Sequence, residues 1–162
     1  LLNEKHQMTI EVGDQLPDVT VKTFDDGPAN LSIGALIEGK TAVIFGLPGA
    51  FTPTCSIRHL PGFVDHAEAI KGKGVDLIAV HSVNDPHVLN AWNKQQGSEE
   101  IEIIADWNAD FAKALGVDAD MSKTGLGIRA KRYALIVKNG VVTYFGEGDL
   151  DVSGAEAILE AL

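Results

Sequence analysis

The chain has 162 residues, of which 45% are hydrophobic and 22% charged, and its formal net charge is −10. That is the composition of one globular domain with a real hydrophobic core, and the acidic balance argues against nucleic acid or an anionic membrane as partner. No window is apolar for the roughly 18 residues that a membrane span needs, and the single cysteine rules out an internal disulfide and fits a reducing compartment.

Residues 1–7 lack the apolar core of a secretory signal. They read as a tag remnant or a short disordered extension ahead of Met8, which leaves 8–162 as one expected domain. Val19 and Val21 alternate with Thr20 and Lys22 and lead into Phe24, an early strand closed by a turn at Asp25-Asp26-Gly27-Pro28. Ser32 is placed to cap a short helix ending near Gly39.

Ala42 to Leu47 is a continuous apolar run, rich in β-branched and aromatic residues, as in a strand buried on both faces. Pro48-Gly49 breaks it, and Pro53 suits the first position of a helix. Beyond Cys55, apolar residues at Ile57, Leu60, Phe63, Val64, Ala67 and Ile70 mark one helical face. Pro61 is expected to kink or restart this helix, and Gly72 and Gly74 to end it. A buried strand thus feeds a short loop that delivers Cys55 to the first turn of a helix. There the free backbone N–H groups and the macrodipole favour thiolate over thiol. Helix N-termini and nearby cations lower cysteine pKa values from roughly 8.5 to between about 3.5 and 7.5. A lone cysteine is by default a small buried hydrophobe. A purely structural cysteine has no need of two prolines and two threonines crowded around it.

Val75 to Val83 reads as the next buried strand. Asp85 as N-cap and Pro86 as first residue start a helix that carries Trp92. Ile101 to Ala105 is a short strand, and Asn108 can cap a helix with Phe111, Ala112 and Leu115 inward and Gly116 at its end. Tyr133–Val137 and Val141–Phe145 flank Lys138-Asn139-Gly140, a strong hairpin signal. Ser153-Gly-Ala-Glu156 matches a capping box for a last helix over 155–162. Alternating strands and helices followed by a hairpin imply an α/β class, a mixed sheet with helices on both faces.

Pro48-x-x-x-Thr52-x-x-Cys55 resembles the active-site motif of the peroxiredoxins. The longer run Pro48-Gly-Ala-Phe-Thr-Pro-Thr-Cys-Ser, with His59-Leu-Pro-Gly-Phe63, resembles their type II (type five) subfamily. Similarity continues through Ser82-Val-Asn-Asp-Pro86, Gly125-Leu-Gly-Ile-Arg129 and Arg132-Tyr-Ala134, from about Met8 to the end. The resemblance implies a thioredoxin-like fold with an N-terminal elaboration, and peroxide reduction in which Cys55 becomes a sulfenic acid. It places the active-site arginine at Arg132; the residues alone do not prefer it over Arg129 or Arg58. Thr52 is expected to hold peroxide through its hydroxyl, with a helix N-cap as the other role open to it. Pro48 is expected to shield the sulfur, and the N–H groups of Thr54 and Cys55 to meet the developing negative charge. His59 is a supporting residue, while Leu126, Phe51 and Phe45 are pocket walls or plain core.

His59 also lies one helical turn after Cys55, which allows a hydrolase-like nucleophile and base. A binding module of the same fold with an inert Cys55 is a further alternative. The remaining histidines show no metal-ligand spacing, and Gly125-Leu-Gly127 lacks the third glycine of a dinucleotide loop, so neither metal nor cofactor is expected. Many relatives carry a resolving cysteine, in the strand that is here Leu77–His81 or near Val152 and Ser153. This chain has none. An outside thiol is therefore expected to recycle Cys55: glutathione, glutaredoxin or thioredoxin. The resemblance also implies a homodimer, with Pro48–Phe51 and Pro86–Trp92 as candidate contacts, and a cytoplasmic location, or an organelle matrix after loss of a transit peptide.

Overall fold

The computed structural model describes residues 9–162. The expected extension over 1–7 and the start at Met8 lie outside the described residues. Seven strands form one sheet: β1 (Thr20–Phe24), β2 (Pro28–Ser32), β3 (Thr41–Leu47), β4 (Leu77–Ser82), β5 (Glu102–Ala105), β8 (Tyr133–Lys138) and β9 (Val141–Glu147). Their order is β2-β1-β5-β4-β3-β8-β9, with β3, β4 and β5 parallel and the other pairings antiparallel. The two parallel connections run through α2 (Leu60–Gly72) and α3 (Pro86–Gln95), as parallel pairing requires a crossover.

β3 explains why both faces are covered. Val43, Phe45 and Leu47 pack with Phe63, Ala67 and Ile70 of α2, Leu89 and Trp92 of α3, and Ala155 and Ile158 of α6 (Ala155–Ala161). Ala42 and Ile44 point the other way, among Ile33 and Ile37 of α1 (Ile33–Ile37) and Phe111, Ala112 and Leu115 of α4 (Asp110–Leu115). Strand alternation with an apolar residue at every position needs a layer on each side.

Several local expectations hold. Ser32 Oγ accepts from Ala35 N at 3.2 Å and caps α1. Asp85 Oδ1 accepts from Val88 N at 2.9 Å, with Pro86 opening α3. Asn139 and Gly140 both have positive φ, 51° and 84°, as a two-residue hairpin turn demands.

Others are corrected. Asn108 does not cap α4: Ala109 sits left-handed there at φ 62°, and Asp106 supplies the acceptor, taking Phe111 N at 3.0 Å and Ala112 N at 2.8 Å. Ser153 makes no capping box. Its hydroxyl donates to Gly148 O and Asp149 O, it ends the short helix α5 (Leu150–Ser153), and Gly154 precedes α6. β2 went unread because Pro28-Ala-Asn-Leu-Ser32 is polar and begins with proline. So did a separate hairpin, β6 (Asp118–Met121) and β7 (Gly127–Ala130), whose residues are mostly half-exposed.

One polar network is buried in the α4 layer. His81 Nε2 donates to Asp106 Oδ2 at 2.8 Å, and His81 Nδ1 lies 2.7 Å from Tyr133 Oη. Burial, and then the charge of Asp106, push the Tyr133 phenol well above its ordinary value. Tyr133 also packs against Gly46, where a Cβ would sit 2.0 Å from its Cε2.

Candidate active site

Cys55 lies one short loop beyond the end of β3. The loop is tied down at several points. Ala50 N donates to Asn84 Oδ1 at 3.0 Å, and Thr52 Oγ1 donates to Gly49 O at 2.7 Å. Arg129 Nη1 donates to Pro48 O at 3.0 Å while its Nε donates to Leu126 O at 2.8 Å. Gly49 leaves room for that arginine: an added Cβ would meet Arg129 Nη1 at 2.5 Å and push the guanidinium aside. Phe51 turns the chain at φ 65° and is 55% exposed, so it is not a core residue. Phe45 is core, stacked on Phe63 with ring centroids 4.0 Å apart. Thr52 does not cap the helix through its hydroxyl, which is a donor to Gly49.

The helix begins at Pro53, but Cys55–His59 is a π-turn before α2 continues from Leu60. One such turn relieves the Pro61 problem, since a proline has no N–H to offer the preceding turn. It also corrects the expected apolar face. The wider turn carries Ile57 out to solvent, 71% exposed, while Cys55 and His59 turn inward.

Cys55 is fully buried, yet its surroundings are not those of a structural cysteine. Arg132, just before β8, donates from Nη2 to Cys55 Sγ at 3.2 Å. Its Nη1 lies 2.8 Å from His59 Nδ1, and His59 Nε2 lies 2.7 Å from Ser153 O. A carbonyl only accepts, so Nε2 carries the proton and Nδ1 is the acceptor for the arginine. Burial, opposed by the Ser153 carbonyl and aided by the Arg132 charge, lowers the His59 pKa to about 4. The ring is enclosed by Phe45 and Phe63, at centroid distances of 5.0 and 5.7 Å. Both of its nitrogens are engaged elsewhere, which leaves none to deprotonate Cys55 and removes the support for a hydrolase pair.

The structure thus brings Cys55, Arg132 and His59 into direct contact, with Ser153 as the outer anchor. Thr54 is exposed beside them. Pro48 and Leu126 are half-buried and linked through Arg129, which the residues alone leave level with Arg132 and Arg58 as the active-site arginine. Gly125 and Gly127, at φ 82° and 74°, form the turn that presents Leu126. Trp92 Nε1 donates to Ser56 Oγ at 2.9 Å, next to the cysteine. Among the described residues no group of three His, Cys, Asp or Glu side chains is placed to hold a metal ion. No described helix is long and apolar enough to cross a membrane.

Residues 11–159 match the Redoxin family model. The chain is 46% identical to Peroxiredoxin-2C of Oryza sativa subsp. japonica, over 94% of this chain and 98% of that protein. Among solved structures, reduced Prx3 of Vibrio vulnificus in complex with H2O2 superposes with a TM-score of 0.90 at 45% identity, covering 94% of this chain and 99% of that one. Peroxiredoxin 5 of Alvinella pompejana superposes with a TM-score of 0.85 at 30% identity, covering 94% and 97%. The sheet and its flanking helices are accordingly those of the thioredoxin-like class, elaborated at the N-terminus by β1, β2 and α1. A sulfur held by a guanidinium at a helix start, within a fold and sequence shared along nearly the whole chain, makes this protein a member of the peroxiredoxins, a thiol-dependent peroxidase of the type II (type five) branch whose chain carries one cysteine.

Proposed function

We propose that Cys55 is the peroxidatic residue and that Arg132 is the group that activates it. The observation that carries this is the 3.2 Å hydrogen bond from Arg132 Nη2 to Cys55 Sγ. A hydrogen bond from a cation is strongest to a full negative charge, so the contact favours the thiolate. The thiolate attacks one peroxide oxygen, the O–O bond breaks, and the other oxygen leaves and takes a proton as water or alcohol. Cys55 is left as the sulfenic acid. Negative charge grows on the leaving oxygen, and Arg132 with the N–H groups of Thr54 and Cys55 is preorganised to meet it.

Thr52 holds the peroxide through its hydroxyl, which gives its proton to Gly49 O and keeps its lone pairs free to accept one from the substrate. Pro48 shields the sulfur with a rigid ring. Phe51 and Leu126 serve as apolar walls. His59 is a positioning residue that holds Arg132 from behind.

With one cysteine in the chain, the sulfenic acid is reduced from outside, by glutathione, glutaredoxin or thioredoxin, through a mixed disulfide. Such reductants place the protein in a reducing compartment, the cytoplasm or an organelle matrix. The enzyme works as a homodimer joined near the cysteine loop, where Phe51, Ile57 and Val88 leave apolar surface exposed at 55%, 71% and 36%. Sedimentation of the wild type against Phe51→Asp tests the dimer.

The main test is peroxide consumption by wild type and Cys55→Ser with each thiol donor in turn. The variant is expected to lose all turnover, and retained activity would return Cys55 to an inert role. Mass spectrometry after peroxide and glutathione is expected to find a glutathione adduct on Cys55. Cross-linked Cys55 pairs alone, with glutathione and glutaredoxin present, would refute the external route.

A further inference from the structure

Tyr133, Gly46 and His81 stand in one row across the sheet. In β3, Gly46 is paired with Tyr133 of β8 on one side and with His81 of β4 on the other. Any other residue at the middle of that row would raise a side chain between the two rings. Glycine leaves the path over β3 open, and the tyrosine crosses it, with Oη 2.7 Å from His81 Nδ1. Asp106, just beyond β5, accepts from His81 Nε2 at 2.8 Å and caps α4 at the same time. With Nε2 as donor, Nδ1 of the neutral ring is the acceptor for the tyrosine hydroxyl. One chain of hydrogen bonds thus joins β8, β4 and the end of β5 across β3, the strand that leads into the cysteine loop.

Packing alone does not call for this chain. Tyr133, His81 and Asp106 are buried, and apolar side chains would fill much of the same space without burying polar groups, which costs free energy unless each is bonded. Here each is bonded, and a fully satisfied buried network rigidifies what it joins. Its position decides what is made rigid. Tyr133 with Gly46 is the last rung of the β3–β8 ladder, and Arg132 is the next residue outward. Strand ends are where a chain frays most readily. The carbonyl of Arg132 accepts from Gly148 N at 2.9 Å on the β9 side, and its guanidinium is held by His59 and Cys55. On the β3 side the tyrosine tie is what secures the rung.

We propose that Tyr133 is a positioning residue for the peroxidase reaction: by bonding His81 across β3 it locks the start of β8, and so fixes the distance from Arg132 to Cys55 Sγ. This rests on the reading of Cys55 as the peroxidatic residue and of Arg132 as its activator. Tyr133 itself meets neither sulfur nor peroxide. Its ring packs in the α4 layer, while Cys55 packs in the α2 layer on the other face of the sheet. His81 and Asp106 act through it in turn.

The test measures oxidation of Cys55 by hydrogen peroxide in wild type, Tyr133→Phe, Arg132→Met and the double variant, each at a urea concentration on the folded baseline of its own unfolding curve. Tyr133→Phe keeps the ring and loses only the hydroxyl. It is expected to slow the reaction by about ten-fold, the scale of a small misplacement at a reacting centre. In the Arg132→Met background the same substitution is expected to change the rate by less than about two-fold, because no guanidinium remains to be placed. His81→Gln can still donate to Asp106 but offers Tyr133 no Nδ1, and is expected to behave as Tyr133→Phe does in both backgrounds. A merely structural role predicts the same loss with or without Arg132, and that result would overturn the proposal. So would an unchanged rate in Tyr133→Phe, or a loss there that His81→Gln does not share. If Arg132→Met alone reacts at the wild-type rate, the reading of Arg132 fails first, and the proposal with it.

Discussion

Arg132 Nη1 and His59 Nδ1 lie 2.8 Å apart, with the histidine as acceptor. That bond exists only while the imidazole is neutral, because a protonated ring would turn an N–H towards the guanidinium. The same arginine reaches Cys55 Sγ with its other nitrogen. The charge state of His59 therefore bears on the sulfur through one side chain.

The first prediction concerns stability against pH. His59 has a pKa of about 4 in the fold, below its ordinary 6.5. The unfolded chain thus binds a proton more readily between these values, so stability rises with pH across that interval and drops as the solution is acidified through it. The shift corresponds to about 3 kcal/mol, fully present above about pH 6.5 and lost as pH falls through 4. Urea unfolding from pH 7 to 4 is expected to show a shallower decline in His59→Gln than in wild type. Parallel declines would mean that His59 is not held neutral by the fold.

The second concerns the arginine itself. Arg132→Met removes the donor at Sγ and is expected to slow oxidation of Cys55 by hydrogen peroxide by about 100-fold or more, the usual cost of losing a preorganised electrostatic donor. Arg132→Lys keeps the charge but cannot bridge sulfur and histidine together, so an intermediate rate is expected. Stopped-flow tryptophan fluorescence follows the step, since Trp92 is bonded to Ser56 beside the cysteine. A loss below three-fold in Arg132→Met would remove the arginine from the mechanism.

The third separates Arg129 from Arg132. Arg129 donates to the carbonyls of Pro48 and Leu126 and not to sulfur. Arg129→Met is expected to loosen the loop and to lower the peroxide rate by about ten-fold through misplacement. Its effect should approach zero for oxidation of Cys55 by a small disulfide, where no peroxide has to be positioned. Equal losses with both oxidants would deny Arg129 that role.

The fourth concerns the opposite face of the sheet. Burial raises the Asp106 pKa, but the hydrogen bond and charge of His81 and the N–H groups of Phe111 and Ala112 outweigh it, so the carboxyl lies below its usual value. Its contribution is present above that usual value and is lost as pH falls through the lowered one. Asp106→Ala strands a buried histidine and two backbone donors, and is expected to cost about 3–5 kcal/mol in denaturant unfolding. A cost under 1 kcal/mol would mean that the network is not intact in solution.

Much of this was legible in the chain because it is written locally. The β3 run, the Pro48-Gly49 break, Asp85-Pro86 and Asn139-Gly140 each specify their own geometry within a few residues. Arg132 was legible only through resemblance, since nothing local separates it from Arg58 or Arg129. What stayed hidden depends on distant partners. Asp106 takes the place of Asn108 as the α4 cap because the distant His81 holds its carboxylate beneath the N–H groups of Phe111 and Ala112. The π-turn at Cys55 arises from packing that turns both Cys55 and His59 inward, and no periodicity of apolar residues announces it. The β6–β7 hairpin has no buried face to leave a pattern, yet it delivers the arginine that holds Pro48.

Gly46 gives the fold a mechanical lever. Tyr133 rests where any side chain at position 46 would have to go, and it is the chain neighbour of Arg132. Even a methyl group there would lift the ring and tilt the start of the strand. A guanidinium on the far side of the sheet would swing with it, so a residue that never meets substrate sets the aim of one that does.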